Sequence, residues 1–170
     1  DLARFYAGEV SRVIGRYSII DDYGQSANAI MDFANGAVGT IETSNTATGR
    51  PGHYRRFEVH GTEGAAVFYY SLPSKVELYL AEGVSRYIRQ GFVTVSVPGA
   101  THTENDHEGW IQGITVASQV FAKAIQSGNK AKADFYDGYR SQVIMEAIAK
   151  SSASGESIDA INASGTRDKY

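Results

Sequence analysis

The hydrophobic pattern changes period once along the chain, and that change limits the fold more than any other feature. From residue 10 to about residue 97, apolar and polar side chains alternate in short runs, as half-buried strands do. After Pro98-Gly99 the spacing becomes helical, with Trp110, Ile114, Ala117, Phe121 and Ile125 on one helix face. A run of strands followed by a run of helices implies an α+β fold. The expectation is a large, mostly antiparallel open sheet with helices packed on one face.

The punctuation sets the elements. Leu2, Phe5 and Tyr6 share a face of a short helix that Gly8 ends. A strand is expected over residues 10–20, with Gly15 a possible bulge, followed by a turn at 21–24. Strands at 28–33 and 38–46 flank Ala34-Asn35-Gly36, a hairpin signal because Asn and Gly tolerate positive φ. Further strands are expected at 54–60, 65–70 and 76–81, with one or two arms within 87–97. The first long helix should stop at Ser127-Gly128. The second should run from near Asp134 to Ser154-Gly155, with Val143, Ile144, Ala147 and Ile148 as its apolar stripe. Residues 160–170 read as a polar tail.

Composition removes several classes of function. The chain has 170 residues, 42% of them hydrophobic and 21% charged, which suits a folded globular body. No apolar run is long enough to span a bilayer, so no membrane role is expected. Net charge is −3 with scattered basic residues, which argues against nucleic-acid binding. Cysteine is absent, which excludes disulfides, thiolate metal sites and a cysteine nucleophile, and fits a reducing, cytoplasmic setting. No G-x-S-x-G elbow supports a serine hydrolase. Residues 101–108 hold two histidines and three acids but lack a third strong ligand at helical spacing, so a metal site is not expected. Eleven tyrosines suit either strands or a face that is half apolar and half wet.

Four segments, in order, resemble one family, the glucose-fructose oxidoreductase, inositol dehydrogenase and rhizopine-catabolism (Gfo/Idh/MocA) oxidoreductases. They are residues 1–10, the hairpin from Phe33 to Gly39, the strand and corner Phe57-Glu58-Val59-His60-Gly61-Thr62-Glu63-Gly64, and Asp134-Phe135-Tyr136-Asp137-Gly138 with the helix that follows. The resemblance implies that residues 1–159 are the family's C-terminal domain, which binds substrate and contacts other subunits, with 160–170 a tail. It implies that a dinucleotide-binding Rossmann domain, carrying NAD or NADP, belongs to the full-length protein and not to this stretch. No G-x-G-x-x-G follows a strand here, and no Glu-Lys-Pro is present. The family's catalytic lysine would lie in that missing domain, and its catalytic histidine about one turn before Asp1. The resemblance thus implies no catalytic residue in this chain, no activity for the chain alone, a sugar or polyol substrate, and a homo-oligomer formed through the open sheet face.

The candidate substrate-binding residues are Asn45, Thr46, Arg50, His53 and Tyr54, which follow the 38–46 strand where relatives often contact substrate. Their side chains include groups that both donate and accept, as polyol hydroxyls require. His107 and Trp110, at the start of the first long helix, form a second set, since aromatic rings pack on apolar sugar faces. Tyr136, Asp137 and Tyr139 open the last helix, where Asp137 already suits the helix dipole. The competing reading is a complete, non-catalytic module that binds a ligand or a partner on the same sheet.

Overall fold

The structure, a computed structural model, describes residues 1–19, 25–46, 55–70, 74–80, 91–97, 106–131 and 133–161. The elements are α1 (Leu2–Ala7), β1 (Val10–Ile19), β2 (Gln25–Phe33), β3 (Val38–Ser44), β4 (Arg56–His60), β5 (Gly64–Tyr69), β6 (Lys75–Leu80), β7 (Val93–Ser96), α2 (Asp106–Ser127), α3 (Phe135–Ser154) and β8 (Ile158–Asp159). The fold is α+β, and its strands pair antiparallel throughout. Where one large sheet was expected, the described strands form two four-stranded sheets, ordered β3-β2-β1-β8 and β4-β5-β6-β7. They belong to two compact units, residues 1–48 with 130–170, and residues 49–129.

In the first unit, α3 covers one face of the sheet. Val10, Val13, Ala29, Met31 and Phe33 from the strands close on Ile144, Ala147 and Ile148 from the helix, with Ala160 at the edge. Each large side chain so buried contributes roughly 1.5–3 kcal/mol relative to exposure. Gly15 permits the close approach. A Cβ there would lie 2.8 Å from the Ile148 Cγ2 atom. Gly15 is not the bulge that its position suggested. It pairs in register with Ala29, and the register shift falls between Val10 and Arg12.

The helix also closes the sheet's outer edge. β8 pairs with β1 only at Arg12 and Val13, which would leave the rest of β1 with unpaired backbone groups. Serines of α3 take over. The Gly15 N–H donates to Ser151 Oγ at 3.0 Å and the Tyr17 N–H donates to Ser152 Oγ at 2.8 Å. Ser151, fully buried, donates in turn to the Glu156 carbonyl.

Both ends of α3 are capped. The Asp134 carboxylate accepts from the Tyr136 and Asp137 N–H groups, and the Asp134 N–H donates back to Asp137 Oδ2 at 3.1 Å, a capping box. Gly155 ends the helix at φ 74°, a left-handed conformation that glycine adopts without strain. Asn35 and Gly36 make the β2–β3 turn, and Asn35 Nδ2 donates to the Ala7 carbonyl at 2.9 Å, fastening α1 to the hairpin. Ala160, the first residue of the stretch read as a tail, is fully buried and its carbonyl accepts from Arg140 Nη1 at 3.0 Å. The packed body therefore includes it.

The second unit is a meander from β4 to β7. At Gly64 a Cβ would lie 2.2 Å from the Tyr79 carbonyl oxygen, so the corner before β5 accepts only glycine. α2 begins at Asp106, one turn before Trp110, and its Ile114, Phe121 and Ile125 are exposed.

Candidate functional site

Two of the sequence-derived candidates, Asn45 and Thr46, are described. They stand just past β3, at the end of the first sheet away from the β2–β3 turn. Antiparallel pairing brings the end of β3 beside the start of β2, and Ser44 lies opposite Ser26. One step further on, the Gln25 N–H donates to Asn45 Oδ1 at 2.7 Å, and the Asn45 N–H donates to the Gln25 carbonyl at 3.1 Å. The asparagine thereby extends the ladder by one rung. The Gln25 side chain reaches the next strand, where the Tyr17 hydroxyl donates to Gln25 Oε1. Thr46 folds back on Ser44. Its N–H donates to Ser44 Oγ at 3.2 Å, and the two hydroxyl oxygens are 3.1 Å apart.

The result is a polar rim shared by three strands and built from Tyr17, Gln25, Ser44, Asn45 and Thr46. Its side chains are hydroxyls and amides, each a donor and an acceptor. Asn45, Gln25 and Tyr17 are exposed and Thr46 is half-buried. Such a rim can orient a polyhydroxylated ligand. Neutral hydroxyls and amides do not take a proton from an alcohol, so the rim supplies positioning rather than acid–base chemistry. Tyr17, Gln25 and Ser44 were missed in the sequence because pairing register, not proximity along the chain, brings them together. The signal was the alignment of two strand ends that a hairpin fixes.

Arg50, His53 and Tyr54 lie outside the described residues. His107 and Trp110 fall on α2, in its first turns, and their side chains also lie outside the described residues. In the second unit an open cleft of about 420 Å³ lies beside the β4–β5 corner, lined in part by Val59, Thr62, Glu63, Tyr79 and Leu80.

One cluster of charged groups in the first unit lies elsewhere, where α1, β1 and α3 meet. Arg4 donates to both Glu9 carboxylate oxygens and to Asp137 Oδ1 at 3.2 Å. Arg140, buried, donates from Nε to Glu9 Oε2 at 3.1 Å. The hydrogen bond from Arg4 is the main cause that holds Glu9 below the usual carboxylate range, with Arg140 adding to it against the opposing effect of burial. Asp137 is held low first by the Asp134 backbone N–H and then by Arg4. This network joins three elements and satisfies its own members. It places Asp137 in a structural role, away from the strand-end rim.

The positive-φ glycines Gly8, Gly128 and Gly155 follow helices and Gly36 stands in a hairpin, whereas a pyrophosphate is held at a helix start after a glycine-rich turn. Among the described residues no three His, Asp or Glu side chains gather to hold a metal ion. No described helix is long and apolar enough to cross a membrane.

The family model for the C-terminal alpha/beta domain of the oxidoreductase family matches residues 4–159. The chain belongs to this family. It is 34% identical over 146 residues to levoglucosan dehydrogenase of Pseudarthrobacter phenanthrenivorans, a match that covers 81% of this chain and 36% of the relative. A solved levoglucosan dehydrogenase in complex with NADH and L-sorbose superposes with a TM-score of 0.78 at 29% identity, over 94% of this chain and 47% of that one. An oxidoreductase domain protein from Kribbella flavida shares the fold at the same TM-score of 0.78, with 22% identity and 94% of this chain covered. The chain thus spans less than half the length of these relatives, and the family resemblance read from the four segments holds along almost the whole sequence.

Proposed function

We propose that this chain is the substrate-side domain of a cytoplasmic, nicotinamide-dependent dehydrogenase that oxidises a hydroxyl group of a sugar or polyol. The carrying observation is the 34% identity over 146 residues to a levoglucosan dehydrogenase. The neutral rim at Asn45 and Thr46 supports the same reading, because vicinal hydroxyls need partners that donate and accept. In this reading Asn45, Thr46, Arg50, His53, Tyr54, His107 and Trp110 contact the substrate. A Rossmann domain of the full-length protein binds NAD or NADP and carries the proton-transfer residues. The hydride goes to the nicotinamide, and this domain presents the carbinol carbon to it. The sheet face opposite α3 joins subunits.

The test is nicotinamide reduction by the full-length protein, with levoglucosan, glucose and inositol as first substrates. Reduction by the full-length protein, and none by the 170-residue chain alone, is the expected result. If the full-length protein binds cofactor but reduces none with any sugar or polyol, the substrate class is wrong. If the gene encodes no dinucleotide domain, the chain is a binding or dimerisation module.

A further inference from the structure

The short helix α1 has two sides. Ala3, Arg4 and Ala7 turn inward. Both alanines pack against the core, and Arg4, with a side chain only 8% exposed, donates to Glu9 and to Asp137. Asn35 Nδ2 holds the Ala7 carbonyl at 2.9 Å, and the Ala34 N–H holds the Glu9 carbonyl at 2.8 Å. Leu2, Phe5 and Tyr6, spaced i, i+3 and i+4, form the outward side. They are 58%, 75% and 59% exposed. The Phe5 and Tyr6 rings meet edge to face, with centroids 4.9 Å apart. Phe135, the first residue of α3 and two residues from the Asp137 that Arg4 holds, is 99% exposed. A helix of six residues is not stable through its own hydrogen bonds. The inward contacts fix it instead, so the apolar outward side sits on a rigid mount. Large apolar side chains held together in water mark a contact surface.

Position along the chain names the occupant. α1 is the first element, and the matching family model is that of a C-terminal domain. The chain covers 47% of the solved levoglucosan dehydrogenase, so most of that relative's remaining length stands ahead of its counterpart of α1. A domain joined directly to α1 is present at high effective concentration, whereas a separate molecule must first give up its translational freedom. We propose that Leu2, Phe5 and Tyr6 are the docking face for the domain that precedes α1 in the same polypeptide. This rests on the function proposed above, in which a cofactor-binding domain belongs to the full-length protein, and adds where that domain seats. Arg4, through Glu9 and Asp137, ties the docking face to β1 and α3, so the seated domain keeps one orientation toward the first sheet.

Photo-cross-linking of the full-length protein tests this. The photoreactive residue p-benzoylphenylalanine replaces Phe5 in one variant and Leu2 in another. Both side chains are exposed, and circular dichroism checks that each variant is folded. Irradiation should join each site to a residue ahead of Asp1 in the same polypeptide, read from the masses of the cross-linked tryptic peptides. The product should run as a monomer on a denaturing gel, and its yield should not change on dilution. Adding Phe5→Glu to the Leu2 variant should cut that yield by about tenfold, because a charge at the centre of an apolar contact opposes docking. Cross-links confined to residues 1–170 overturn the proposal, since another part of this chain then covers α1. A cross-linked dimer that disappears on dilution overturns it in favour of a second copy. No cross-link at either site, or a yield that Phe5→Glu leaves unchanged, also overturns it. Cofactor reduction is read separately. A protein that cross-links as expected and reduces no nicotinamide keeps the docking face and loses the dehydrogenase reading, whereas a gene with no segment ahead of Asp1 removes both.

Discussion

Arg140 Nε donates to Glu9 Oε2 at 3.1 Å, while Nη1 of the same guanidinium holds the Ala160 carbonyl at 3.0 Å. One planar group thus ties α3 to the start of β1 and to the residue after β8. Its burial makes the partners depend on it, because a buried acceptor that loses its donor keeps its desolvation cost. Arg140→Ala should lower unfolding free energy by roughly 2–4 kcal/mol. Arg140→Lys should recover less than half of that, since one ammonium cannot serve two directions at once. Urea unfolding measures both, and a loss under about 0.5 kcal/mol for Arg140→Ala would remove the guanidinium from the account of stability.

Glu9 sets an acid limit. Its folded pKa is depressed, mainly by the hydrogen bond from Arg4 and further by Arg140. A depressed carboxylate contributes stability that is present above its unfolded pKa and lost as pH falls through the folded one. Midpoints of thermal unfolding should therefore be flat in this contribution above about pH 5 and fall steeply below about pH 4. Glu9→Gln should be less stable at neutral pH and should flatten the acid limb. Asp137 titrates in the same direction and leaves some residual slope. An acid limb of equal steepness in the variant would move the cause to other carboxylates.

Gly15 is a steric rather than a conformational requirement. It pairs normally in β1, and a Cβ would meet Ile148 Cγ2 at 2.8 Å and the Asn28 carbonyl at 3.3 Å. Gly15→Ala should cost roughly 1–3 kcal/mol through forced displacement of α3. Combining it with Ile148→Ala, which removes the Cγ2 atom that the new methyl group would meet, should cost less than the sum of the two single changes. Strict additivity in urea unfolding would show that the helix shifts freely.

Residues such as these show what was legible in the sequence and what was not. The Asn35-Gly36 turn, the Asp134 cap and the Gly155 stop are local signals, each carried by residues within one turn of its effect. The apolar stripe of α3 was equally plain, and Ile144, Ala147 and Ile148 are buried against the sheet. Gly15 was misread because its constraint comes from Ile148, far along the chain. Ser151 and Ser152 lie in the last turns of α3, yet they serve the open edge of β1. β8 is two residues long, too short to leave a period. The strand-end rim was half legible: Asn45 and Thr46 follow a strand and are polar, while Tyr17 and Gln25 join them only through cross-strand register.

That rim gives the sharpest functional prediction at the level of single side chains. Thr46→Val keeps the shape of the residue and removes the hydroxyl that lies 3.1 Å from Ser44 Oγ. Thr46 is at the edge of the fold, so the change should alter unfolding free energy by less than about 1 kcal/mol. If the rim holds the sugar equally in ground and transition states, KM of the full-length enzyme should rise by about threefold to tenfold with kcat little changed. Asn45→Ala should raise KM more, since it also releases the Gln25 N–H and loosens the end of β3. Steady-state kinetics beside urea unfolding separates the two contributions. A KM unchanged in Thr46→Val and a loss confined to stability in Asn45→Ala would make the rim a strand terminator, and the substrate contacts would then fall to the remaining candidates, Arg50, His53, Tyr54, His107 and Trp110.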